Sequence, residues 1–169
     1  MSNKTIAKFY VFVISTTFLS TFFSGCSDVS SISGPPTPDS HYHPPTVRGN
    51  IKSADITESS GLAASRCQND VLWTHNDSDN GAYIYAFKPS GESLGAWKVQ
   101  NAESEDWEDI AAYKDKSGKC FLYIGDIGDN ESKRSDRLVY RISEPVVSQE
   151  SSNSSRKNPL TTETAEVVR

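Results

Sequence analysis

The sequence predicts an all-β fold, and three observations lead there. Short runs rich in aromatic and β-branched residues are separated by Gly, Asn, Asp and Pro turn signals, no stretch sustains a helical period over eleven residues, and one segment of about 50 residues is followed by a copy of itself. The expected architecture is β-propeller-like, with about two four-stranded blades.

The chain opens differently. Residues 1–25 contain no acid, carry Lys4 and Lys8, and run through a mostly apolar stretch from Phe9 to Phe23 that ends in Ser24-Gly25-Cys26. A basic front, an apolar centre rich in Ser and Thr, and small residues at the end form a signal-peptide pattern, shorter than a comfortable membrane span. Phe23-Ser24-Gly25-Cys26 resembles the lipobox of bacterial lipoproteins, with Phe where Leu is usual. The resemblance implies cleavage before Cys26, lipidation of that cysteine, and a membrane partner reached through the lipid. Two or more acyl chains anchor stably, because each buried methylene contributes about 0.8 kcal/mol. Ser27 after the cysteine, by the same resemblance, directs the chain to the outer membrane facing the periplasm.

Removing residues 1–25 leaves 144 of 169 residues and takes away two lysines, so the charge falls by two from −5 to −7. An acidic chain with no basic cluster argues against nucleic acid as a partner. Residues 26–48 hold five prolines, many serines and few apolar side chains. Such a segment buries too little surface to offset its ordering entropy and reads as a flexible tether. His41 and His43 lie within it and carry no metal site on this reading.

The folded part is expected over 49–169, with blade one at about 51–100 and blade two at about 103–169. Expected strands are Gly61–Ala64, Val71–Thr74, Ala82–Phe87 and Leu94–Val99, divided by turns at Asp79-Asn80-Gly81 and Pro89-Ser90-Gly91. The second set is Asp109–Tyr113, Phe121–Ile124 and Leu138–Ile142, and Thr164–Arg169 reads as the outer strand of blade two. The repeat ties the sets together. Residues 71–80 lie on 121–130 at an offset of 50, Glu58–Ala64 on Asp106–Ala112 at 48, and Tyr83–Tyr85 on Leu138–Tyr140 at 55. Loop insertions make offsets drift in this way. A β-sandwich would suit the length, but gives no reason for evenly spaced copies. Each blade has an apolar face that a neighbour must cover, so two blades read as a propeller cut off before its third, or one completed by self-assembly.

The blocks Glu58–Ser65, Val71–Ser78, Asp106–Ala111, Leu122–Asn130 and Val139–Pro145 together resemble a bacterial family of six-bladed propellers, related in shape to the gluconolactonase, strictosidine-synthase and phytase-like groups. The resemblance covers about 50–145. It implies a calcium site whose ligands come one per blade from strand ends at the central channel, here Glu58 and Glu108, with Asn76 and Asp126 at the ends of the next strands as further ligands.

From the residues themselves, the acidic clusters at 76–80, 105–109 and 126–131 suit Ca²⁺ or Mg²⁺, which take carboxylate and amide oxygens. Asp and Asn at this density also build tight turns, and both readings stand. A helix-loop-helix calcium loop from Asp77 is excluded, because Gly81 and Lys88 fall where ligands belong. His75 is the one histidine of the expected folded part and a candidate general base. No nucleophile motif accompanies it, and no catalytic residue is assigned. Trp73, Trp97 and Trp107 are expected to pack between blades. With Cys26 lipidated, Cys67 and Cys120 remain, either bridged or as two separate buried thiols.

The functional expectation is a lipid-anchored envelope protein whose partial propeller is a binding or scaffolding platform for an envelope partner or small-molecule ligand. The alternatives are a Ca²⁺-dependent hydrolase of the lactonase or phytase-like kind, and an inactive truncated remnant.

Overall fold

The computed structural model describes residues 44–78 and 80–168. The expected signal peptide, Cys26 and most of the expected tether lie outside them. The described chain is all-β, with nine strands in two sheets and one short 3-10 turn at Ser151–Asn153.

Strands β1 (Ser59–Ala64), β2 (Leu72–Asn76), β3 (Tyr83–Phe87) and β4 (Ser93–Gln100) form an antiparallel meander. Strands β5 (Trp107–Lys114), β6 (Cys120–Asp126) and β7 (Leu138–Ser143) begin a second meander. After the 3-10 turn come β8 (Leu160–Thr164) and β9 (Glu166–Val168). The strand orders are β1-β2-β3-β4-β8 and β5-β6-β7-β9.

The turns obey local chemistry. Gly91 sits at φ +84°, in the left-handed region, and a Cβ there would lie 1.7 Å from the Asn50 carbonyl oxygen. Only glycine satisfies both conditions. Lys52 N–H donates to Gly91 O at 2.9 Å, so the chain entering the fold is pinned on this turn.

The register reproduces the sequence repeat. Ala64 pairs with Leu72 and Ala112 with Leu122; Leu72 pairs with Phe87 and Leu122 with Ile142. Each first strand carries an irregularity at the corresponding place, between Ser59 and Gly61 in one sheet and between Trp107 and Asp109 in the other.

One apolar core serves both sheets. Trp73, Ile84, Ala86, Trp97 and Val99 from the first meet Trp107, Ile110, Leu122, Ile124, Tyr140 and Ile142 from the second. Trp73 and Trp97 have ring centroids 5.1 Å apart, and Trp107 and Tyr140 are 6.2 Å apart, within the range of favourable aromatic pairs. Between the first strands the backbones nearly touch: a Cβ on Gly61 would lie 2.7 Å from Ile110 N and 2.9 Å from Asp109 Cα. Glycine at 61 is therefore what lets β1 approach β5.

Two features depart from the sequence expectation. The first sheet has five strands, because Leu160–Thr164, placed in blade two by the sequence, adds to β4 in parallel through Trp97, Lys98 and Gln100. An edge strand leaves a row of unpaired backbone groups, and this segment covers the one on β4. The outer strand of the second sheet is correspondingly short, Glu166–Val168, paired antiparallel with Val139–Arg141.

Candidate functional site

Where β2 and β6 end, each sheet uses one side chain to hold the start of its first strand. Asn76 Oδ1 accepts from Thr57 N–H at 3.1 Å and Glu58 N–H at 3.2 Å, and its amide donates to Asp55 O at 2.8 Å. Asp126 accepts from Glu105 N–H at 3.3 Å and Asp106 N–H at 2.9 Å. Both side chains are buried. The charged member needs a counter-ion, and Arg134 supplies it: the guanidinium donates to Asp126 at 2.7 Å and to Gly128 O at 2.9 Å, with Glu105 3.3 Å away. Two of the four ligands implied by the resemblance are thus engaged with backbone amides.

A third is drawn aside. Glu58 is exposed and accepts from the Asn80 amide at 2.8 Å, while Asn80 accepts from Arg156 at 2.9 Å. The fourth, Glu108, is brought together with two other acids. One oxygen from each of Asp77, Asp106 and Glu108 lies within 4.8 Å of the others. Asp77 follows β2 and accepts from Ser78 N–H at 2.6 Å; Asp106 precedes β5; Glu108 lies on β5, half-buried, with Ser60 Oγ donating to its carbonyl at 3.2 Å. Asp106 and Glu108 stood together in the acidic cluster at 105–109, but nothing in the spacing marked Asp77, from the cluster at 76–80, as their neighbour.

Asp106 also lines an open cleft of about 300 Å³ shared with Glu105, Asn130, Glu131 and Arg134. Its far wall is the loop after β6, shaped by Asp129, which accepts from Lys133 N–H at 2.7 Å and Arg134 N–H at 3.1 Å and pairs with Arg137 at 2.7 Å. The Arg134 amide, helped by Lys133 N–H and the Arg137 charge, holds the Asp129 carboxyl below its usual range. Asp129 therefore has a turn-building role.

His75 is fully buried. Its Nδ1 lies 2.9 Å from Asn76 O and must carry the proton, because a carbonyl only accepts. Its Nε2 has no partner, and the ring meets Trp107 edge-on at 5.6 Å. Closed off in this way, it does not reach a substrate arriving from solvent.

A second constellation joins the sheets at another place. Cys67, between β1 and β2, is disulfide-bonded to Cys120, the first residue of β6, with Cα atoms 6.1 Å apart. Beside it Glu144, just after β7, accepts through Oε1 from Trp73 Nε1 at 3.0 Å, Gln68 Nε2 at 2.9 Å and Ser65 Oγ. Gln68 adds bonds to Pro145 O at 2.9 Å and from Val147 N–H at 2.7 Å. Sequence reasoning did not single out Glu144 or Gln68, whose partners lie more than 70 positions away.

Among the described residues no helix is long and apolar enough to cross a membrane. Comparison of the chain with protein-family models, with curated proteins and with solved structures finds no match.

Proposed function

We propose that this chain is an exported, lipid-anchored envelope protein whose folded part is a segment of a β-propeller acting as a binding platform. The observation that carries the reading is the repeated unit: two antiparallel meanders with corresponding register, each held at its first strand by one polar side chain at the end of its second. Repeated units of this kind bury their faces against one another and present strand ends and edges to partners. Exposed apolar residues on edge strands support a contact role, with Leu62 on β1 61% exposed, Tyr113 on β5 50% exposed, and Leu160, Val167 and Val168 on β8 and β9. Burial of His75 favours binding over acid-base chemistry.

The test uses the full chain in a bacterial host. Labelled palmitate should enter the wild type and not Cys26→Ala, and the wild type should sediment with membranes while the variant is released. A photo-crosslinker at Leu62 should give a discrete adduct in intact cells. An unlabelled wild type overturns the anchor, and a clean absence of adducts from both Leu62 and Tyr113 overturns the platform.

A further inference from the structure

We propose, on the lipid-anchored reading above, that the end of the fold where the chain enters docks on an anionic lipid surface. The domain then lies against the membrane with its acidic strand ends turned away.

The topology gathers several loops at this end. Ala64, Leu72, Phe87 and Ser93 pair in one row across the first sheet, so the β1–β2 loop and the β3–β4 turn leave on the same side. In the second sheet Lys114 pairs with Cys120, and Glu144 N–H donates to Cys120 O at 2.9 Å, which places the β5–β6 hairpin and the chain after β7 together. The Cys67–Cys120 bridge ties the two groups of loops to each other. The entering chain joins them, with Gly49 and Asn50 against the β3–β4 turn at Ser90 and Gly91.

Two kinds of exposed side chain meet there. Arg48, Lys52, Arg66, Lys114, Lys116 and Lys119 are exposed, and among the described residues none of them has a carboxylate partner. With Lys88 the loops of this end hold seven cations to five acids, an excess of positive charge on a chain that carries −5 overall. The acids are partly occupied. Glu92 pairs with Lys88, Glu144 is held by donors of the first sheet, and Asp115 accepts from Ser117 N–H at 2.8 Å and Lys119 N–H at 2.9 Å inside its own hairpin, leaving Asp70 and Glu150. Among the cations stand apolar side chains that nothing covers: Val47 is 88% exposed, Val146 79% and Ile51 42%. Val146 lines one cleft with Lys119 beside the bridge.

This combination fits a lipid surface. Lysine and arginine attract anionic headgroups, apolar side chains between them enter the headgroup boundary, and binding strength follows both contributions. The opposite end, where β2 and β6 finish, carries Glu58, Asp77, Glu105, Asp106 and Glu131, which the same headgroups repel. Separation of charge along the strands therefore orients the domain. Residues 26–48 separate the expected lipid from the fold, and a contact tethered in this way acts at an effective concentration on the order of millimolar. A surface too weak to hold a free protein is then sufficient.

The full chain, isolated from membranes of a bacterial host, is reconstituted on vesicles of phosphatidylcholine alone or with an equal part of phosphatidylglycerol, carrying a photo-crosslinker at Val146 or at Glu131. Flotation with both vesicle types reports the anchor, and lipid adducts report the docking. Val146 is expected to give about fivefold or more lipid adduct on phosphatidylglycerol vesicles than on phosphatidylcholine, and about fivefold or more than Glu131. At about 1 M NaCl, where the screening length is about 3 Å, the gain should vanish. The triple variant Lys114→Gln, Lys116→Gln, Lys119→Gln should lose the gain at an unchanged Tm. Lys157→Gln, next to Arg156 and its bond to Asn80 at the opposite end, should keep it. Equal adducts on the two vesicle types, equal adducts from Val146 and Glu131, or a gain that survives salt overturns the docking surface, while flotation leaves the anchor standing. A chain that does not float on phosphatidylcholine overturns the anchor instead, and flotation and adducts on phosphatidylglycerol vesicles then decide the docking by themselves. A Val146 adduct in intact cells that is protein and not lipid assigns this end to a protein partner and overturns the proposal.

Discussion

Asn76 and Asp126, fifty positions apart, each accept the two backbone N–H groups that lead into the first strand of their own sheet: those of Thr57 and Glu58 in one case, Glu105 and Asp106 in the other. A carboxamide and a carboxylate do the same work because both offer an sp² oxygen at the end of a short stem. They differ in charge, and only Asp126 has an arginine, Arg134, beside it.

Asn76→Ala should therefore destabilise the chain by about 2–3 kcal/mol, since it leaves two amides and the Asp55 carbonyl without partners. Asn76→Asp keeps the acceptor but loses the donor and adds a charge with no arginine, and should fall between Asn76→Ala and wild type. Urea denaturation of the three proteins checks the order. Equal stability of all three would show that the amides find water instead.

Glu144 gathers three donors from the first sheet onto one oxygen of the second. Glu144→Ala should cost about 2–4 kcal/mol, because Trp73 Nε1 is stranded in the core, whereas Glu144→Gln retains an acceptor and should cost about 1 kcal/mol. Chemical denaturation gives both values, and Trp73 fluorescence reports whether its surroundings open.

The Cys67–Cys120 bridge closes 53 residues and links a loop of the first sheet to a strand of the second. Loop-closure entropy for that length is about 4 kcal/mol, so the double variant Cys67→Ala, Cys120→Ala should lose about 2–4 kcal/mol. Reducing agent should lower the Tm of the wild type and leave the double variant unmoved. A wild type indifferent to reductant would show that the sheets hold without the bridge.

Burial pushes the Tyr85 hydroxyl up from 10.0 to about 12, with Arg156 opposing and Asp55 adding to the rise. The folded state keeps this proton after the unfolded chain has lost it. Its stabilising effect is complete below pH 10 and disappears as pH rises through about 12. Tyr85→Phe should flatten the decline in stability between pH 10 and 12, a change on the order of 2–3 kcal/mol. At pH 7 the same substitution should be nearly neutral, because the Tyr85 hydroxyl is buried with no partner.

Strand identity was legible in the residues themselves. Runs such as Tyr83–Phe87 and Leu138–Ser143 combine β-branched and aromatic side chains with flanking turn signals, and both the strand preference and the turn chemistry act over a few positions. The repeat at an offset of about 50 was legible for the same reason, and it aligns Asn76 with Asp126. The tether composition and the signal pattern are local too.

The tertiary structure decided which distant groups meet. Leu160–Thr164 joins β4 because that edge offers unpaired backbone groups, a property of the assembled sheet that no local propensity encodes. Cys67 and Cys120 could have stood apart, and only the packing of one sheet on the other brings them within bonding reach. Glu58, Asn76, Glu108 and Asp126 stand alike in the sequence as oxygen donors at strand ends. Hydrogen bonds formed in the fold commit Asn76 and Asp126 to backbone amides and Glu58 to Asn80, and leave Glu108 beside Asp77 and Asp106. Composition determines that oxygen donors are abundant; where three carboxylates converge depends on β1 and β5 passing closely at Gly61 and on the space left at Gly128.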